Sequence, residues 1–237
     1  MRRLHGATEL LDGPLDERTL RGNLRDLGRL NRRLGGVDLS WHALVGVLRA
    51  TSPGDGLSVL DVGTGGGDIP AELAIRARHV GRRVDFVATD IRPEIIRVAA
   101  AAIDQPEIEF RLAKADLGNE ADHSFDVVHA SLVLHHHDPD DARALLGQFA
   151  RVSRSVVIVN DVDRGWAWWA GAWLLSHLVT ANRYTRHDAA LSVRRAYRPD
   201  EMSDLANAAG LREVARRRSW PPYRYALTFV RQDFGHG

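Results

Sequence analysis

Residues 59–68 read VLDVGTGGGD: an apolar run, two acids and four glycines within five positions. The pattern is that of a strand entering a turn that needs backbone conformations closed to other residues, just before a helix. Such a turn lets the backbone approach a nucleotide-bearing ligand closely. Hydride, phosphoryl and methyl transfer all use glycine at this place, and the neighbouring residues must choose among them.

A phosphate-gripping loop requires Gly-Lys-Ser/Thr after its second glycine. Here Gly67 is followed by Asp68, whose charge repels a phosphate at a helix N-terminus. A dinucleotide turn requires G-x-G-x-x-G. The glycines at 63, 65 and 67 alternate instead, and Asp68 stands where the third glycine would fall. Both phosphate readings fail on that carboxylate.

S-adenosylmethionine (SAM) presents an ammonium, a carboxylate, a sulfonium, a ribose diol and an adenine, but no phosphate. Gly63, Thr64, Gly65 and Gly67 let the backbone close on it, and Asp61 is a candidate for the ammonium. Asp90, in VDFVATDIRP, ends the next strand and is placed to take both ribose hydroxyls. Ile91 and Arg92 follow, with Ile91 able to pack on the adenine face. Asp116, in AKADLG between Ala115 and Leu117, comes after the third strand, where it can meet the adenine amino group. Ser131 ends the fourth strand, and Arg32 could reach the SAM carboxylate from the N-terminal region. A single strand-end Asp is often only a helix cap, but three at successive strand ends beside a glycine turn are not coincidence.

His135, His136 and His137 follow the fourth strand. Consecutive side chains point in different directions, and metal sites favour spaced ligands, so no metal is expected. The functional reading has one imidazole facing the methyl group and removing a proton from an acceptor hydroxyl. His136 is the first choice and His135 the second; packing or helix capping is the plain alternative. Arg183, Arg186, His187 and Asp188 form a second polar group, followed by Arg194, Arg195 and Tyr197. They read either as surface ion pairs or as a pocket in which Arg183 and Arg186 orient an acceptor and His187 is a rival base.

The elements that must position these residues follow from periodicity. Leu20, Leu24, Leu27, Leu30 and Leu34 form one helical stripe over 15–34, stopped by Gly35 and Gly36, and a second helix is expected from Trp41 to Ala50. SPGDG at 52–56 bounds this helical cap, residues 1–52, from a core domain at 53–237. In the core, strands are expected at 57–62, 83–88, 107–112, 125–130 and 155–160, with helices near 67–79, 93–103 and 140–151. The alternation implies an α/β fold with a parallel sheet covered on both faces. ARRRSW at 215–220 and RYALTFVRQ at 224–232 flank a short turn at PPY and should pair antiparallel. An insert at 164–198 begins with RGWAWWAGAWLLSHLVTA, apolar on all sides and too short to span a bilayer. It is expected to pack into protein or over an apolar ligand, with Trp169 and Trp173 lining a substrate site.

Composition narrows the function classes. Lys+Arg at 32 against Asp+Glu at 31 leaves no basic field for nucleic acid, and the absence of cysteine excludes thiolate chemistry and disulfides. The N-terminus, MRRLHGATELLDG, lacks an apolar signal core, so a cytoplasmic location is expected.

Taken together the motifs resemble class I SAM-dependent methyltransferases: VLDVGTGGGD, VATD, AKADL, FDVVHASLVLHHHDP and SVVIVND match the family's five motifs in order. The resemblance implies a Rossmann-like seven-stranded sheet, mostly parallel, with an antiparallel C-terminal strand. "LHH" resembles the branch that includes ubiquinone- and menaquinone-biosynthesis enzymes. NLRDLGRLNRRLGG and YTRHDAALSVRRAYRPDE resemble bacterial methyltransferases associated with type III polyketide synthases. This implies methylation of a small hydroxylated aromatic or polyketide-derived acceptor, on oxygen. The alternatives are carbon methylation of a quinone-type ring and a SAM-binding relative without activity. A homodimer is compatible with this reading. WPPY at 220–223 resembles the acceptor motif of base-methylating enzymes, but lies before the last strand and is explained as a turn.

Overall fold

The computed structural model describes residues 1–7, 9–10, 13, 15–52, 54–179 and 183–232, apart from a few side chains in 175–183. The elements run α1 (Glu17–Arg33), α2 (Gly36–Ala50), β1 (Leu57–Val62), α3 (Asp68–His79), β2 (Val84–Asp90), α4 (Pro93–Ala102), β3 (Ile108–Leu112) and β4 (Phe125–Ser131). A 3₁₀ turn (Leu134–His136) follows, then α5 (Pro139–Val152), β5 (Ser153–Val162), α6 (Trp166–Val179), α7 (Arg183–Arg195), α8 (Pro199–Ala208), β6 (Leu211–Arg218) and β7 (Arg224–Arg231). The expected core strands and helices are all present, with ends displaced by a few residues at most.

One seven-stranded sheet has the order β3-β2-β1-β4-β5-β7-β6. β1 to β5 are parallel, and β7 runs antiparallel to both β5 and β6. The sequence expectation of a reversed last strand is met. β1 pairs on one side with β2 and on the other with β4, so the chain switches direction of winding there. The crevice outside the carboxyl ends of β1 and β4 is where open α/β sheets bind ligands.

Alternation along the strands explains the two buried layers. Val59, Phe86, Val127 and Ile158 face Leu44 and Leu48 of α2 and Ile69, Leu73 and Ala77 of α3. Leu60, Val128, Val157 and Leu227 face Leu146 and Phe149 of α5 and Met202 and Ala206 of α8. The N-terminal cap therefore does not pack as a unit of its own. α2 is part of the sheet core, while α1 sets Leu20 and Leu24 against Ile95 and Val98 of α4. Gly35, at φ 77°, turns the chain so sharply that α2 starts at Gly36, ahead of the expected Trp41.

The Trp-rich helix departs from expectation. Among the described side chains of α6 only Ser176 is buried; Trp166, Trp173 and Leu174 are exposed. The helix packs along α7, and Trp166, Trp173 and Leu174 among its described side chains stay exposed. No helix among the described residues is long and apolar enough to cross a membrane.

Candidate active site

The glycine turn is built by hydrogen bonds as well as by missing side chains. Thr64 N–H donates to Thr89 O at 2.8 Å, Gly67 N–H to Thr64 O at 3.0 Å, and Gly65 N–H to the Asp90 carboxylate at 3.3 Å. Gly63 has φ 69°, and a Cβ there would lie 2.5 Å from Val133 Cγ2. The first turn thus packs directly against the loop that carries the histidines.

Asp90 lies at the end of β2 with each carboxylate oxygen holding one backbone N–H, from Arg92 at 3.0 Å and from Gly65 at 3.3 Å. Burial pushes its pKa up, opposed by those two bonds. Each oxygen keeps a free lone pair for a ligand hydroxyl. Ile91 beside it is strongly exposed although apolar, as a residue waiting for a flat apolar partner should be. The Arg92 guanidinium is used up on Glu94 at 2.7 Å and on Gly13 O. Asp116 is exposed and holds Gly118 N–H at 3.0 Å; Ala115 is exposed, and Leu117 is buried with φ 50°. Thr64 Oγ1, buried in the turn, has no partner among the described residues. Backbone donors, a buried carboxylate, an exposed apolar side chain and an unpartnered hydroxyl lie along the turn and the end of β2, a set that fits SAM.

Three expected cofactor residues also have partners within the protein. Asp61 is buried, and its Oδ1 meets His129 Nδ1 at 2.5 Å. Ser131 Oγ accepts from Arg224 at 2.7 Å. Arg32 is half exposed and pairs with Glu72 at 3.8 Å on the surface. Asp68, expected to bar phosphate, opens α3 and lies half-buried against Asn31, whose Nδ2 donates at 3.0 Å.

These residues belong to a network that sequence reasoning missed. Arg224, buried at the start of β7, donates to Asn160 at 2.7 Å, Asn31 at 2.8 Å and Ser131 at 2.7 Å. Asn160 Nδ2 continues to Ser40 Oγ at 2.7 Å and Gly36 O at 2.8 Å, and Ser40 meets His129 Nε2 at 2.8 Å. One chain of bonds thus fixes α1, α2, β4, β5 and β7 around the crevice. The one sequence signal was a charged residue opening an otherwise apolar strand.

The histidines separate into different environments. His135 is buried, with Nδ1 on Asp161 Oδ1 at 2.7 Å and Nε2 at 3.5 Å from Glu9. Burial opposes its proton, but the two carboxylates outweigh burial and hold its pKa at about 10. It is therefore already protonated at neutral pH and is not the base that the sequence allowed it to be. His136 is the accessible one, its side chain 27% exposed and its Nε2 3.9 Å from Glu9. Its carbonyl is held by Arg195 of α7. Burial and the neighbouring imidazole lower the pKa of His137.

Glu9 was not singled out in the sequence. It is delivered by an N-terminal segment that runs under the histidine loop, tied by Arg3 to His137 O and Asp138, and by Leu4 N–H to Arg194 O.

The substrate-side expectations fare unevenly. His187 is exposed and paired with Asp188 at 2.9 Å. Arg186 donates to His177 O at 3.2 Å and so ties α7 to α6. Trp169 stacks edge-on against Trp166, and Trp173 lies on His177 at 4.5 Å. The side chain of Arg183 lies outside the described residues.

Comparison with known proteins agrees with this geometry. Residues 59–155 match the family described as a methyltransferase domain. No curated protein is matched by the sequence. Among solved structures, a SAM-dependent methyltransferase from Aquifex aeolicus superposes with TM-score 0.63 at 16% identity, over 92% of this chain and 99% of that one. Magnesium protoporphyrin IX methyltransferase from Synechocystis, with bound S-adenosylhomocysteine, gives TM-score 0.60 at 16% identity over 93% and 90%. The CurJ carbon methyltransferase gives TM-score 0.68 at 11% identity, over 92% of this chain and 61% of that one. Residues 59–155 are thus similar to a methyltransferase-domain family, and the chain as a whole has the Rossmann-like fold of class I methyltransferases.

Proposed function

We propose that this protein transfers a methyl group from SAM to a small hydroxylated acceptor, with an aromatic or polyketide-derived skeleton. The observation that carries the reading is Asp90: a buried carboxylate, fixed by the glycine turn and by Arg92 N–H, beside an exposed Ile91.

SAM supplies a methyl on a positively charged sulfonium, which carries the intrinsic reactivity. The chain's own part is to bind, orient and deprotonate. Gly63, Gly65 and Gly67 shape the turn, Asp90 takes the ribose diol, Ile91 covers the adenine, and Asp116 meets its amino edge. A phenol has pKa ~10 and is a weak nucleophile at neutral pH. His136, at the mouth of the loop after β4, accepts its proton at Nε2, and a proton arriving there meets the Glu9 carboxylate. Such a base is typically worth ~10²–10⁴-fold in rate. The exposed tryptophans of α6 offer the apolar surface that an acceptor of this class needs.

The first test is calorimetric binding of S-adenosylhomocysteine to the full chain and to Asp90→Ala. Micromolar binding that the variant loses supports the reading; no binding to the native chain overturns it. A panel of phenolic acceptors, with the new methyl located by NMR, then separates oxygen from carbon transfer.

A further inference from the structure

Glu9, His135 and His136 bring three ligand-type atoms within 4.8 Å of one another. The argument from sequence that adjacent imidazoles diverge does not hold for this pair. In the 3₁₀ turn their rings lie against each other, centroids 4.3 Å apart and tilted by 32°. Both Nε2 atoms therefore face one carboxylate, at 3.5 Å from Oε1 and 3.9 Å from Oε2.

The surroundings have the form of a metal site's outer layer. His135 Nδ1 bonds to Asp161, which fixes the ring with Nε2 toward Glu9, where an ion would displace the Nε2 proton. Asp161 is itself fixed by the backbone N–H groups of His135 at 3.2 Å and Val162 at 2.8 Å. Glu9 Oε1 accepts from Ser192 Oγ of α7 at 2.7 Å.

We propose that Glu9, His135 and His136 bind a divalent transition-metal ion of the zinc or cobalt type, with an open coordination position on the exposed side of His136. Two imidazoles and one carboxylate suit such borderline ions, whereas magnesium and calcium prefer all-oxygen sets. Binding stands on these side chains alone. Its consequence for catalysis rests on the reading of His136 as base: a cation on Nε2 takes the lone pair that would accept the acceptor's proton. The metal and the base function exclude each other on that atom, so the ion acts as an inhibitor.

The test uses the full chain without an affinity tag, titrated with Zn²⁺ by calorimetry and with Co²⁺ by visible absorption. One equivalent is expected, with cobalt d–d bands of a low-coordinate nitrogen–oxygen site. Glu9→Gln and His136→Ala should each weaken uptake by about tenfold or more and remove the bands, with circular dichroism unchanged. His5→Ala, at an exposed histidine, should leave both readouts alone. No stoichiometric uptake, or uptake by either site variant as tight as by the native chain, would overturn the proposal. S-adenosylhomocysteine binding to the same samples separates the two ideas. Metal uptake without it refutes only the cofactor reading, and the reverse refutes only the metal.

Discussion

The Arg224 guanidinium donates to the Asn31 side-chain oxygen at 2.8 Å, joining the last strand to the first helix across 193 residues. With Asn160 and Ser131 on its other nitrogens, this one side chain satisfies two buried acceptors and one half-buried one. Its own charge is held inside the fold, with Asp161 and Asp68 opposing the loss of its proton that burial favours.

Replacing Arg224 should therefore cost more than a surface charge. Arg224→Met is expected to lower unfolding free energy by about 3 kcal/mol, since it strands several buried polar groups at once. Arg224→Lys should recover less than half, because a single ammonium cannot reach three acceptors in a fork. Arg32→Ala, at a half-exposed pair, should leave the urea midpoint unchanged. Equal effects at the two arginines would refute the network's importance.

Asp90 gives a pH prediction with a definite sign. Burial raises its pKa above 3.8, so the folded chain takes up this proton more readily than the unfolded one. Ionised Asp90 thus costs the ligand-free fold stability, and that cost is relieved as pH falls through the raised pKa. Ligand binding behaves oppositely, because ribose hydroxyls donate to the carboxylate. Affinity for S-adenosylhomocysteine should decline on acidification from a pH already above 3.8, with proton release on binding near that range. Asp90→Asn should weaken binding by about tenfold or more, the loss of charge from one or two hydrogen bonds, and flatten the profile. Calorimetry across pH and in buffers of different ionisation enthalpy reads both effects.

The two candidate bases can be told apart by rate. His136→Ala should reduce methyl transfer by about 10²-fold or more with S-adenosylhomocysteine affinity nearly unchanged. His187→Ala should change little, since that ring is exposed and already paired to Asp188. A reversed order, in single-turnover assays at saturating SAM, would move the base to α7.

What was legible in the sequence is what short-range pattern encodes. The strands from 57 to 160 and the glycine turn follow from local periodicity and backbone need, and Asp90 from its place at a strand end. Asp61 shared that local signature yet faces His129, 68 residues away, because partner choice is set by packing. Glu9 carried no local signal and Arg224 only that of a charge opening an apolar strand; each matters through residues tens to hundreds of positions distant. The Trp-rich helix misled for the opposite reason. Its composition calls for burial on every side, but it follows β5 as an insert with α7 as its main neighbour, and Trp166, Trp173 and Leu174 stay exposed.

The turn itself offers the sharpest steric test. Gly63 combines φ 69° with a Cβ position 2.5 Å from Val133 Cγ2, while a Cβ at Gly66 would come no nearer than 3.4 Å to any neighbour, Leu24 Cβ being the first. Gly63→Ala should cost about 1–2 kcal/mol for the left-handed backbone, plus the displacement of Val133. Gly66→Ala should be nearly neutral in stability. Adding Val133→Ala to Gly63→Ala removes the clash but not the backbone strain, so it should restore part of the loss and no more. Because Val133 leads directly into the histidine loop, the single Gly63 variant should also slow methyl transfer more than its loss of cofactor affinity explains. Thermal melts and binding isotherms on the four proteins decide it: a Gly63 variant as stable as Gly66→Ala would show that the turn does not lean on the histidine loop.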